Sequence, residues 1–209
     1  MLRVFLVVLA LALQPRFHAS IDPLPARLQA EVRAHAWDPG CPVPLSRLRL
    51  LTVSYWGFDR RAHTGQLAVG ADAAGPLARV FRRLYALRFP IHHMRFTDAY
   101  GSQPRDGDIS GSFWCKHPVP SPCSGGSATG GWSEHAYGEA VDLNPIENPY
   151  TGCGRAHARA SRPYMDRSRL RRGMVTPAVV RAFRSIGWGW GGAWAGSTKD
   201  YTHFSASGH

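Results

Sequence analysis

Acidic residues are scarce in this chain of 209 residues. Asp and Glu number 14 against 25 Lys and Arg, a formal net charge of +11. The deficit implies an anionic partner or surface, but does not choose among nucleic acid, membrane and cell-wall polymer. Charged residues make up 19% and hydrophobic residues 44%, which excludes the charge-rich, core-poor composition of disordered chains. A bilayer-spanning run is also missing. The apolar stretch Val4 to Leu13 is uncharged but falls short of the roughly 20 residues a spanning helix needs. No internal repeat and no nucleic-acid-binding motif occur. Cysteine is limited to four positions, Cys41, Cys115, Cys123 and Cys153. None are paired at the short spacing of zinc ribbons.

What is present at the N-terminus has the form of a secretory leader. Arg3 precedes the apolar run, and Ala19 satisfies the small-residue rule for cleavage. Residues 1–19 are therefore expected to be a signal peptide, with an uncleaved anchor as the alternative. Cleavage removes Arg3 and Arg16 and no acid, lowering the charge from +11 to +9. In an exported protein four cysteines read as two disulfides. Three connectivities are open, and Cys41–Cys115 with Cys123–Cys153 is preferred.

The length suits one domain with a substantial core. Residues 20–40 read as a lead-in segment with a helix over 26–36. Leu48 to Trp56 and Gln66 to Val69 are apolar runs separated by a polar stretch, which predicts a hairpin. Leu77, Val80, Phe81, Leu84 and Leu87 recur at helical spacing and predict a helix over 76–88, ended by Pro90. Residues 91–98 alternate enough to predict a strand. A long Gly-, Ser- and Pro-rich loop follows over 101–133. After Gly138, residues 139–144 predict a strand that holds Asp142 on one face and anchors Val141 and Leu143 on the other. A basic excursion over 148–173 leads to a helix with Thr176 as N-cap and Pro177 at its first position. Residues 200–205 predict the last strand. The expected class is α+β: a single domain, mostly antiparallel sheet flanked by helices.

Two stretches carry chemistry. Ser133-Glu-His-Ala-Tyr-Gly-Glu-Ala-Val-Asp142 and Asp200-Tyr-Thr-His203 together supply two imidazoles, two carboxylates and a glycine turn. Three protein ligands, an open position for water and one further carboxylate are what a zinc hydrolase needs. His135 and Asp142 are too far apart for one helix face, so a turn at Gly138 must fold His135 back beside the strand. A strict strand would put Asp200 and His203 on opposite faces, so a bend is expected between them. The remaining histidines, His92 and His93 among them, read as surface or satisfied core residues.

The pattern Ser133-x-His135-x-x-Gly138-x-Ala140-x-Asp142 followed by Asp200-x-x-His203 resembles the zinc D-alanyl-D-alanine carboxypeptidase family. That family includes L-alanyl-D-glutamate endopeptidases and shares the hedgehog-type fold. Asp142-Leu-Asn-Pro145, Asn148-Pro-Tyr150, Gly187 to Gly192, Arg95 to Gly101 and Phe113 to Cys115 extend the resemblance over roughly residues 41 to 207, within residues 41–209 read as the catalytic domain. The resemblance implies one zinc ion held by His135, Asp142 and His203, with Asp200 as general base. It implies a cation after Cys115 to hold the oxyanion. Here that residue is Lys116, which brings charge without the planar fork of the usual Arg; Arg105 is the substitute for this role and for substrate binding. Ser133 is expected to hydrogen-bond site or substrate rather than attack. The implied substrate is a peptidoglycan stem peptide, cut as a carboxypeptidase or an endopeptidase, by a secreted, wall-associated monomer that also contacts anionic wall polymers. No nucleic-acid partner and no membrane span after leader removal are expected. The alternative is a zinc-containing wall-binding module of the same fold without catalysis. Trp188, Trp190 and Trp194 are read as core packing rather than as a substrate groove.

Overall fold

In the computed structural model, residues 15–118, 131–156 and 158–209 are described. The chain begins with strand β1 (Ala19–Pro23) and helix α1 (Ala26–His35), followed by the long hairpin β2 (Leu48–Gly57) and β3 (Ala62–Gly70). Helix α2 (Ala71–Ala86) runs into the short β4 (Pro90–Ile91) and helix α3 (Phe96–Tyr100). Then come the single-turn α4 (Glu134–Tyr137) and β5 (Ala140–Asp142), with β6 (Tyr150–Gly152) and β7 (Arg155–Ala156) in the basic excursion. Helix α5 (Pro177–Arg184) and strands β8 (Gly189–Trp190), β9 (Lys199–Asp200) and β10 (His203–Ser205) complete the order.

Among the described residues these strands form three sheets. In the first, β1, β2 and β3 pair antiparallel and β4 adds to β2 in parallel. The second has the order β5-β10-β8 and the third β7-β6-β9, all antiparallel. The class expected from the sequence, α+β with a mostly antiparallel sheet flanked by helices, is what forms.

The hairpin has a covered side on each face because its residues alternate. Leu51, Val53, Leu67 and Val69 join Leu77, Val80, Phe81 and Leu84 of α2 and Val179 and Phe183 of α5 in one core. Leu48, Leu50 and Ala68 face the other way, onto Leu28 and Val32 of α1 and Phe96 and Tyr100 of α3. Val141, Leu143 and Phe204 carry the second sheet into the larger core, each 0% exposed. Burying such a side chain stabilises the fold by about 1.5–3 kcal/mol, so the short β5 and β10 are held by packing more than by their few ladder bonds.

Several elements differ from the sequence reading. Helix α2 starts at Ala71, ahead of Pro76. The strong helix former Ala contributes Ala71, Ala73 and Ala74, and the latter two are buried against the sheet, which outweighs the missing N–H of Pro76. The strand expected over 91–98 is only β4 followed by α3. Asp98 carries the switch: its carboxylate, 1% exposed, accepts from the Arg95 N–H at 2.9 Å and pairs with the Arg95 guanidinium at 3.0 Å. That contact closes the first turn of a helix. Met94 and Phe96 are buried as expected, although not as a strand face. The lead-in residues are structural: β1 pairs along β2, and Leu24, Leu28 and Val32 are buried. Contacts reach into the expected leader, where the Tyr85 hydroxyl donates to the Pro15 carbonyl and the Phe17 ring packs edge-on against Tyr85. No helix among the described residues is long and apolar enough to cross a membrane.

Cys41 and Cys115 are joined as preferred, with Cα atoms 5.8 Å apart. The second preferred pair includes Cys123, which lies outside the described residues. Helix α5 begins as read, with the Thr176 hydroxyl accepting from the Val179 N–H and Pro177 at the first position.

Candidate metal centre

The centre is assembled from three local structures. His135 sits in α4, a single turn whose N-cap Ser133 accepts a long bond from the His135 N–H. Gly138 ends that turn at φ 69°, a left-handed conformation that favours glycine. Its carbonyl accepts from the Gly70 N–H at 2.9 Å, which ties α4 to the end of β3. The chain can then turn directly into β5 and Asp142.

Asp142 and His203 are opposite each other in the β5–β10 ladder. On the other side of β5, Gly111 and Asp142 exchange backbone hydrogen bonds at 2.9 and 3.1 Å. The Asp142 backbone is thus fixed from both sides. Beyond it, Asn144 adopts φ 45° and is 0% exposed. Its side-chain amide donates to the Pro90 and Gly173 carbonyls, and its side-chain oxygen accepts from the His92 N–H. Asn tolerates this backbone conformation better than other non-glycine residues, and the network makes Asn144 a framework residue beneath the centre.

The three side chains converge on one point. His135 Nε2 is 3.2 Å from His203 Nδ1 and 3.3 Å from Asp142 Oδ2, and His203 Nδ1 is 3.2 Å from Asp142 Oδ1. Metal–ligand distances of 2.0–2.1 Å in tetrahedral geometry imply ligand separations of about 3.3–3.4 Å. The outer nitrogens are held as second partners of metal-binding imidazoles usually are. His135 Nδ1 is 2.5 Å from the Ser112 carbonyl and His203 Nε2 is 3.3 Å from the His209 carbonyl. Each carbonyl can only accept, so each fixes a tautomer that leaves the inner nitrogen with its lone pair toward the cluster.

The electrostatics divide the two aspartates. Burial by itself would raise the Asp142 carboxyl, but the two imidazoles outweigh it and hold it well below the usual range. Burial and the Asp142 charge push Asp200 up to about 7, with His203 and Lys116 opposing. Asp200 Oδ1 is buried and has no hydrogen-bond partner. A buried carboxylate oxygen left this way is costly unless a cation or a proton donor meets it. The donor set and this orphaned oxygen fit a divalent ion with a water beside Asp200.

The bend expected before His203 is present. Asp200 ends β9, in the third sheet opposite Tyr150, whereas His203 begins β10 in the second. Tyr201 and Thr202 make the crossing, with the Thr202 hydroxyl donating to the Leu143 carbonyl. Gly191 leaves room for this approach: a Cβ there would come within 2.5 Å of the Asp200 carbonyl oxygen.

Lys116 lines the same cleft as His135 and Asp142, together with Tyr100, Gln103 and Trp114. Arg105 does not join them. It is exposed on the turn spanning 104–107 and is not among the residues that line the cleft. Ser133 is occupied by its cap. Of the tryptophans, Trp188 is in the core and Trp190 packs against it, donating to the Tyr201 carbonyl. Trp194 instead stands beside the His203 ring, with ring centres 5.9 Å apart. The supporting groups Ser112, His209 and Asn144 carry no sequence signal, because two act through backbone carbonyls and the third through a fold-dependent network.

Two imidazoles, a shared carboxylate and a second buried acid are the side-chain set of a metal-dependent hydrolase. Independently of this geometry, residues 126–206 match the family model described as D-alanyl-D-alanine carboxypeptidase. That match spans both chemical stretches and bears out the family resemblance read from the sequence. No curated protein and no solved structure matches the chain.

Proposed function

We propose that this chain is an exported zinc peptidase that hydrolyses peptidoglycan stem peptides. The observation that carries the proposal is the convergence of His135 Nε2, His203 Nδ1 and the Asp142 carboxylate within 3.2–3.3 Å of one another. These three residues would hold the ion. When bound, it supplies Lewis acidity and lowers the pKa of a coordinated water from 15.7 toward about 7.

The protein side chains do the rest. Asp200 takes a proton from the attacking water and returns it to the leaving amine. In the metal-free chain, burial and the Asp142 charge raise its pKa to about 7, a range suited to a group that both takes and returns a proton. Lys116 neutralises the negative charge that develops on the scissile carbonyl oxygen. Tyr100 and Trp114, lining the same cleft, exclude water from one side of the substrate. The Cys41–Cys115 link anchors the segment that presents Lys116. An excess of basic residues, +11 overall, suits a substrate ending in a free carboxylate and a wall rich in anionic polymers. Export through the N-terminal leader and action as a monomer belong to the same proposal.

The test is incubation of zinc-loaded protein with a stem pentapeptide and with purified peptidoglycan, followed by mass spectrometry of the fragments. Released D-Ala identifies a carboxypeptidase, and a cleaved stem identifies an endopeptidase. Zinc occupancy without cleavage of any muropeptide would replace the proposal with a non-catalytic wall-binding module.

A further inference from the structure

A second cluster of ligating side chains lies outside the centre described above. His92 follows β4, Asp108 lies in the stretch before Gly111, and Glu147 lies between β5 and β6. Their donor atoms come within 4.8 Å of one another. His92 Nε2 is 3.5 Å from Asp108 Oδ2 and 3.4 Å from Glu147 Oε1. These separations match the roughly 3.3–3.6 Å edge of a tetrahedral site with ligands at 2.0–2.2 Å.

An independent observation points to a missing ligand. Asp108 is 2% exposed and Glu147 3% exposed. Asp108 Oδ1 accepts from the Ile146 N–H at 2.9 Å, but Asp108 Oδ2 and Glu147 Oε2 are buried with no hydrogen-bond partner. Two adjacent buried carboxylates, each with one oxygen lacking a donor, are unfavourable even though Tyr164 and His92 also reach Glu147. The neighbouring guanidinium of Arg167 is committed elsewhere: it donates to the Glu147 backbone carbonyl, Asn148 Oδ1 and the Val175 carbonyl. Without an ion the two acids would be balanced only by a protonated His92 together with a proton held on Asp108, whose carboxyl is pushed up to about 7 by burial. A divalent ion with neutral His92 balances both. His92 is partly exposed on its outer side, where it stacks on Phe58 with ring centres 3.7 Å apart and lines a second cleft. That cleft gives an ion a way in.

We propose that His92, Asp108 and Glu147 form a second binding site for a divalent transition-metal ion, structural rather than hydrolytic. One imidazole with two carboxylates suits zinc or manganese; calcium prefers oxygen ligands throughout. The site would tie together the segments that flank the first centre. Asp108 lies three residues before Gly111 and Glu147 five residues after Asp142, and Gly111 and Asp142 are bonded to each other. An ion here would therefore brace the Asp142 backbone without touching the reacting groups.

Metal content per chain tests this. Chelator-stripped full-length protein is reloaded with excess zinc, or in parallel with manganese, desalted and assayed by plasma mass spectrometry. The wild type is expected to hold two ions. Asp108→Asn with Glu147→Gln is expected to hold one, and so is His92→Ala, a partly exposed substitution that spares the buried acids. His203→Ala, which removes a ligand of the first centre, should retain one ion and a melting temperature that still rises with added metal. A wild type that holds one ion, lost on His203→Ala, overturns the proposal. So does a second ion that persists in both the His92 and the Asp108/Glu147 variants. Loss of the second ion in these variants with no effect of His203→Ala would support this site and count against the first.

Discussion

Replacing Gly138 by alanine should both loosen the fold and displace His135. At φ 69° a Cβ costs about 1 kcal/mol through backbone conformation. A Cβ here would also lie 2.3 Å from the Gly70 nitrogen and 2.9 Å from the Val69 carbonyl carbon. Both neighbours are backbone, so no side-chain rotation relieves the clash. The ends of β3 and α4 must separate, adding about 1–3 kcal/mol of overpacking strain. The Gly70–Gly138 bond, 2.9 Å long, is lost at about 1 kcal/mol. A total near 3–5 kcal/mol should lower the melting temperature by about 6–20 °C for a protein of this size. Gly187 provides the control, because it has φ 86° but nothing within 4 Å of its Cβ position. Gly187→Ala should therefore cost only about 1 kcal/mol. Urea unfolding of the two variants, with zinc affinity measured on each, gives the comparison. Equal losses in the two, or unchanged zinc affinity in Gly138→Ala, would refute the reasoning that this close approach positions the ligand.

Asp200→Asn should lower the rate of stem-peptide cleavage by about 100- to 10,000-fold while leaving zinc content unchanged, as read by fragment analysis and metal assay on one preparation. Asn148→Ala should destabilise by about 3 kcal/mol or more in urea unfolding, since its fully buried amide donates to the Leu143, Asn144 and Gly173 carbonyls and its oxygen accepts from the Val175 N–H. Cys41→Ser with Cys115→Ser opens a loop closed over a sequence separation of 74 and should cost up to about 4 kcal/mol, seen as a lower urea midpoint. In chelated protein the folded state binds more protons than the unfolded state between the ordinary Asp range near 3.8 and the raised value of about 7 at Asp200. Asp108, also raised to about 7, contributes in the same direction. Stability should therefore decline as pH rises through that window, and Asp200→Asn should lessen the decline in melts taken from pH 4 to 8.

The hairpin, helix α5 and the approach of the two motif stretches were legible because each rests on local pattern: alternation, a Thr-Pro start, and ligand-type residues flanking a turn. The break between Asp200 and His203 was legible for the same reason, since strand periodicity forbids both from facing one ion. What sequence could not supply was the cross-strand pairing of Asp142 with His203, which depends on register between segments 61 residues apart. The strand expected over 91–98 failed because a single contact, Asp98 with Arg95, outweighs a weak alternation. His92 looked like an ordinary surface histidine because its two acidic neighbours come from 16 and 55 residues further along the chain. Arg105 was a reasonable cation by type, but it is exposed and is not among the residues that line the cleft. Lys116 is a cation that lines the cleft together with Asp142.

A zinc-soaked crystal, measured at the zinc absorption edge, addresses the central claim most directly. The expected result is an anomalous peak about 2.0–2.2 Å from His135 Nε2, His203 Nδ1 and a carboxylate oxygen of Asp142, with a solvent peak between it and the Asp200 carboxyl. An anomalous map with no peak among these three side chains, in crystals where their positions are well defined, would contradict it.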